Sequence, residues 1–315
     1  MLRIICGKLV DSFLSSLTIL LIKTLSRVAT NISATLEVVL AQDANCHVDQ
    51  VLTFASATMN IVAVALTSKG LPVHLYLGKE TAPFDDEQLA TLALLGGNIK
   101  IFSGAPTPSK EAVVLAHKSV AELSNPGVDG VIEPNILYIA TNGKITPGDI
   151  LVIRKRMATP ATTPVVEAML QSRANVPITA NTGRATTAAI AEFHAHLQTL
   201  CGTDINTLAN PVVFTAGLPA LCSMWVSLIK RGGADVLMCS TAYGGSSQLT
   251  DLLHTKVPEF KKHTFDIQGL DANMVERINS RLSDLAAKPA DLAPTTVVFI
   301  EVPTNPDMKV RENWA

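Results

Sequence analysis

Stretches that read as buried strands alternate with stretches that read as helices along this chain, and this alternation limits the fold more than any other feature. Val51–Ser56 and Val212–Gly217 read as strands running into turns, each followed by a helical apolar run. Leu71–Leu77 and Ala234–Ser240 are apolar enough to be fully buried strands. Asn98–Gly104 and Lys262–Gln268 read as shorter strands, and Asn135–Thr141 and Thr296–Val302 close each series. Strands alternating with helices predict an α/β fold with a mostly parallel sheet and flanking helices.

The two series align with each other. Phe54 and Phe214 stand 160 residues apart, as do Thr81-Ala82 and Thr241-Ala242, and Gln88-Leu89 and Gln248-Leu249. Thr141-Asn142 and Thr304-Asn305 stand 163 apart. A near-constant offset with one order of elements predicts an internal duplication. Residues 1–45 are assigned to an N-terminal helical segment and 46–156 to a degenerate α/β half-domain. Residues 157–178 are assigned to a linker, because Met157–Val166 is poor in charge and holds two prolines. Residues 179–315 form the second α/β domain.

Composition excludes several functions. Of 315 residues, 48% are apolar and 17% charged, which supplies a core and does not fit a disordered chain. The formal net charge of -2 and the absence of a basic run argue against nucleic-acid binding. Cys6, Cys46, Cys201, Cys222 and Cys239 are odd in number and show no C-x-x-C spacing, which fits a reducing, cytoplasmic setting and not a disulfide framework or zinc site. His194 and His196 are two apart in a helical stretch and point to different faces, so no metal is expected there. The run Phe13–Ile22 is about half of what a membrane span needs. A signal peptide is the other reading, since Arg3 and Lys8 precede the run, but no small-residue cleavage pattern follows closely. A buried helix is preferred, and no membrane association is expected.

The second series carries the candidate chemistry. In "VVFTAGLPALCSMWVSLIKRGG", Ala216-Gly217 makes a turn and Leu218–Lys230 reads as a helix, with Pro219 in its first turn. Gly217 permits close backbone approach, and free N–H groups at a helix start suit a phosphate. Tyr243 stands before Gly244 and Gly245, where an exposed ring can stack on a flat cofactor or pack against the turn. Glu301 follows the last strand directly, and Asn305 lies four residues on, between Pro303 and Pro306. Its amide can donate to a phenolate oxygen or simply close a turn.

These pieces, in this order, resemble the pyridoxal-phosphate enzymes of cysteine and methionine metabolism, the cystathionine γ-synthase/γ-lyase family. The family pattern runs roughly F-x-S-G-M-A-A, then x-Y-G-G-T, then E-T-P-T-N-P-T-x-K-V. This chain has "FTAGLPA", "AYGGSSQL" and "IEVPTNPDMKV", and the likeness extends from about Asn181 to Val310. The resemblance implies an aspartate-aminotransferase-like large domain, incomplete here. It implies that Gly217 and Leu218 hold the cofactor phosphate, Tyr243 stacks on the pyridine ring, Asn305 hydrogen-bonds the phenolic oxygen, and Glu301 supports the site. It implies trans-sulfuration: C–S elimination or replacement at the β- or γ-carbon of a sulfur amino acid or activated homoserine, as lyase or transferase, in a homo-oligomer.

The chain also departs from the family. Its Y-S-R-x-G-N-P-T segment corresponds to Thr179–Thr186, where Thr179 and Asn181 replace the tyrosine and arginine, with Arg184 nearby. The family's pyridine-nitrogen aspartate and Schiff-base lysine follow the P-T-N-P loop, beyond Ala315, and no S-x-T-K segment occurs. The first copy has Pro83 at the tyrosine position and Ala140 at the glutamate position, so it reads as non-catalytic. No catalytic residue is therefore assigned. The alternative expectation is a non-catalytic relative that scaffolds or regulates a complete subunit.

Overall fold

The computed structural model describes residues 31–141, 143–173, 187–201, 212, 214–266 and 274–301. It is an α/β structure with two sheets whose strands are mostly parallel. The first sheet has the order β1-β6-β5-β4-β2-β3. Its strands are β1 (Val51–Thr53), β2 (Val73–Tyr76), β3 (Ile99–Phe102), β4 (Val113–His117), β5 (Gly130–Glu133) and β6 (Ile136–Ile139). β3, β2, β4 and β5 run parallel, whereas β6 is antiparallel to both β5 and β1. The second sheet, β8-β7-β9, is wholly parallel and uses β7 (Ala234–Cys239), β8 (Phe260–Phe265) and β9 (Thr296–Phe299).

Period-two alternation gives the first sheet two apolar faces. Leu52, Val73, Leu75, Val113, Leu115 and Leu137 point to one side, where α2 (Met59–Thr67) and α4 (Pro147–Met157) contribute to the same cluster. Val51, Val114, Ala116, Val131 and Tyr138 point to the other, against α1 (Asn31–Asp43) and α5 (Thr163–Arg173). Helix α5 thus lies within the stretch read as a linker. The first apolar cluster continues through Trp225 and Ile229 of α7 (Gly217–Lys230) and Leu249 and Leu253 of α8 (Gly244–Lys256) to Val236 and Phe260 of the second sheet. The remaining helices among the described residues are α3 (Asp86–Leu94), α6 (Thr187–Cys201) and α9 (Met274–Ala286). The Phe13–Ile22 run lies outside the described residues. Among those described, no helix is long and apolar enough to cross a membrane.

The two series share a topology. β3-β2-β4 and β8-β7-β9 are both parallel triplets with the earliest strand of each triplet in the middle. β2 and β3 keep the expected offset from β7 and β8. β9, however, takes the position of β4 and not of β6, which the offset of Thr141-Asn142 from Thr304-Asn305 had implied. β3 and β4 are joined by residues 103–112, whereas residues 266–295 separate β8 from β9 and include α9.

No strand forms at the described residues of the expected Val212–Gly217 strand, 212 and 214–217. Val212 is 76% exposed, and Phe214, outside any strand, is 38% exposed. Its counterpart β1 exists by pairing with β6, the outer strand of a hairpin turned at Pro134-Asn135 with Asn135 at φ 68. No hairpin in the described part of the second series offers such a partner, and an unpaired strand has no ladder to hold it.

Candidate functional site

The parallel strands β7, β8 and β9 end on one edge of the second sheet. Helix α7 leads into β7 through Gly232-Gly233, so it runs back along the sheet and starts at that same edge. The turn requires glycine: Gly233 sits at φ 104, and a Cβ there would come within 2.1 Å of the Glu259 carbonyl oxygen. Helix α8 starts directly after β7. Two helix N-termini therefore open at the carboxyl edge, the edge at which open α/β sheets bind ligands.

The start of α7 has free donors. Its N-cap, Ala216, is extended and makes no side-chain cap. Ala220 N–H closes the first turn onto the Ala216 carbonyl, and Pro219 has no N–H. The Gly217 and Leu218 N–H groups consequently meet no acceptor among the described residues. A Cβ on Gly217 would touch nothing within 4 Å, so space is open in front of them. One turn inward, burial pushes the Cys222 thiol up to about 12, which keeps it protonated at neutral pH and unsuited as a nucleophile.

The start of α8 is held from β9. Glu301 accepts the backbone N–H of Tyr243, the N-cap residue, at 2.5 Å and the Ser246 hydroxyl at 2.7 Å. A carboxylate at the positive end of a helix is stabilising. The Tyr243 ring folds over Gly245, where an added Cβ would lie 2.4 Å from its Cε1 and 3.1 Å from Leu218 Cδ1. The ring and the first turn of α7 thus close on one point. Glu301→Ala is expected to lower the unfolding free energy by about 1–2 kcal/mol, measured by urea denaturation, since both bonds are charge-assisted. An unchanged urea midpoint would mean that Glu301 does not anchor α8.

Of the five residues singled out in the sequence, Gly217, Leu218, Tyr243 and Glu301 meet at this edge. Asn305 lies outside the described residues, as do Thr179, Asn181 and Arg184. Ser246 was not singled out, although it stands in "AYGGSSQL": it falls three residues after the N-cap, where a hydroxyl reaches the helix start. Lys262 on β8 is committed to the Ser247 hydroxyl and to Asp251, each at 2.8 Å, so it is not a spare amine at this edge.

The equivalent place in the first sheet is closed differently. Asp85 and Gln88 cap α3 by a reciprocal pair of hydrogen bonds within the helix itself. Ala140, set against Glu301 by the sequence offset, follows β6, which is not the counterpart of β9. No group of three or more metal-ligating side chains occurs among the described residues. Comparison with known proteins returned no matching family model, no matching curated protein and no matching solved structure.

Proposed function

We propose that this chain binds pyridoxal phosphate at the carboxyl edge of the second sheet, as a relative of the trans-sulfuration enzymes with an aspartate-aminotransferase-like large domain. The observation that carries this reading is the joint placement of two unpaired N–H groups at the start of α7 and an aromatic ring beside that same turn. The residues present fit the group. Gly217 and Leu218 N–H would take the phosphate at the positive end of α7. Tyr243 would cover one face of the pyridine ring, and Glu301 would keep Tyr243 in place through its backbone. Asn305 would meet the phenolic oxygen. When bound, the cofactor supplies the electron sink for chemistry at the β- or γ-carbon of a sulfur amino acid or activated homoserine.

A second reading keeps the same cofactor site and differs in the role of the chain. On that reading the chain binds the cofactor reversibly and scaffolds or regulates a complete subunit in a homologous oligomer.

Titration of the full chain with pyridoxal phosphate, followed by absorbance and borohydride reduction, tests both readings. Saturable binding is expected, and Tyr243→Ala is expected to weaken it about fivefold to tenfold through loss of ring stacking. Phe193→Ala, at a 43% exposed site on α6, serves as the control. Tyr76 is unsuited to that purpose, since it is buried and stacked on Phe102 at 4.9 Å. A reduced adduct on one lysine favours catalysis by this chain, and reversible binding without an adduct favours the scaffold. Absence of saturable binding, or equal effects of the two substitutions, rejects the site.

A further inference from the structure

The two series of elements meet at a cleft of about 290 Å³, far from the edge just described. It lies at the C-terminal end of α8, about 20 Å along that helix from Tyr243 at 1.5 Å per residue. The end of α2, the start of α4 and Gly96 beyond α3 complete it. Its walls are largely apolar: Ala65, Leu66, Val152, Ile153 and Leu252. Val152 is 48% exposed at the rim.

Three charged side chains reach this apolar space. Lys256 gives one hydrogen bond, to the Leu66 carbonyl oxygen at 2.8 Å, and that is its partner among the described residues. An ammonium has three donors, so two remain. Closing the end of α2 accounts for the first donor, and no carboxylate pairs with Lys256 among the described residues. Partial burial lowers the Lys256 pKa from its ordinary value. Lys69 stands on a turn in which it and Gly70 both have positive φ, 54 and 84, and its Nζ lies 3.9 Å from Asp149 Oδ2. With two lysines and one aspartate, the cleft carries one positive charge in excess.

We propose that this cleft is a binding site for a small monocarboxylate with a compact apolar body, its carboxylate paired with Lys256 and its hydrocarbon laid against Val152, Ile153 and Leu252. One anionic charge neutralises the excess, and the volume suits a ligand below the usual drug size. The proposal is independent of cofactor binding at the sheet edge.

The test is ligand-observed saturation-transfer NMR on the full chain, with 4-methylpentanoate as probe. Saturable transfer is expected at millimolar concentrations. Inorganic phosphate and 4-methylpentan-1-ol, which lack the tail and the charge respectively, are each expected to displace the probe about tenfold less effectively than unlabelled carboxylate does, and Lys256→Gln is expected to reduce affinity for the carboxylate by a similar factor. Val152→Asp sets a like charge at the half-exposed rim and is expected to cause a comparable loss, with the fold checked by circular dichroism. Lys230→Gln, which removes an exposed partner of Glu87 outside the cleft, is expected to leave affinity unchanged. The proposal is overturned by absence of saturable transfer, by phosphate or the alcohol binding as well as the carboxylate, or by full affinity in both Lys256→Gln and Val152→Asp.

Discussion

Arg154→Met is expected to lower the unfolding free energy by about 3–5 kcal/mol, a large part of the 5–15 kcal/mol typical of a folded domain. Arg154 on α4 and Glu37 on α1 are 1% and 0% exposed, with Nη1 2.5 Å from the carboxylate. The same Nη1 donates to the Thr53 carbonyl oxygen at 3.0 Å. Glu37 in turn accepts the Thr53 N–H and hydroxyl, both at 3.0 Å. This network ties α1, β1 and α4 together across the edge of the first sheet. Removing the guanidinium takes the cation of this ion pair from a carboxylate that is 0% exposed, and burying that charge without it is the source of the cost. The double variant Glu37→Gln with Arg154→Met should recover about half, because a neutral amide oxygen still serves Thr53. Urea denaturation followed by circular dichroism decides: a loss below 1 kcal/mol in the single variant, or no recovery in the double, would show that the pair is solvated and dispensable.

That network was invisible in the sequence, where Glu37 and Arg154 are ordinary charged residues in two helical stretches 117 positions apart. What could be read were features with a local cause. β2, β3, β7, β8 and β9 stand where apolar runs bounded by turn residues put them. β4 and β5 were missed because Val113–His117 and Gly130–Glu133 are short runs without a distinctive period, and their identity as strands comes from pairing with β2 and with each other. The expected strand at Val212–Gly217 differs for the converse reason: its residues suit a strand, and no partner for it occurs among the described residues. Pairing is decided by distant residues, so sequence pattern proposes strands and the sheet selects among them.

At the candidate site the same division holds. A glycine turn before an apolar helix, and a tyrosine before two glycines, are local signals, and the structure sets Gly217, Leu218 and Tyr243 side by side. The contact from Glu301 to Tyr243 and Ser246 spans 58 and 55 positions and depends on β9 pairing beside β7. The Lys256 cleft gave no signal, because a lysine closing a helix looks like any other until two helices from the other series meet around it.

Trp225 links this packing to the site, and Trp225→Ala is expected to cost about 3–5 kcal/mol, as large cavities in a core do. The indole is 0% exposed on the inner face of α7, its ring 5.7 Å from Phe260 and 5.8 Å from Phe299. It therefore seats α7 on β8 and β9, and α7 carries the Gly217 and Leu218 donors. Its Nε1 has no acceptor among the described residues. A buried donor left unpaired is a liability of about 1–3 kcal/mol in its own right. Trp225→Phe keeps an aromatic ring between Phe260 and Phe299 and removes that orphan N–H, so the loss of volume is partly offset. Phenylalanine is expected to cost less than about 1.5 kcal/mol, well under half the alanine value. The comparison is made by urea denaturation followed by circular dichroism, and pyridoxal phosphate affinity should fall with the alanine variant alone. Equal costs for the two substitutions would mean that the indole N–H is paired in solution and that ring packing is not what holds α7 to the sheet.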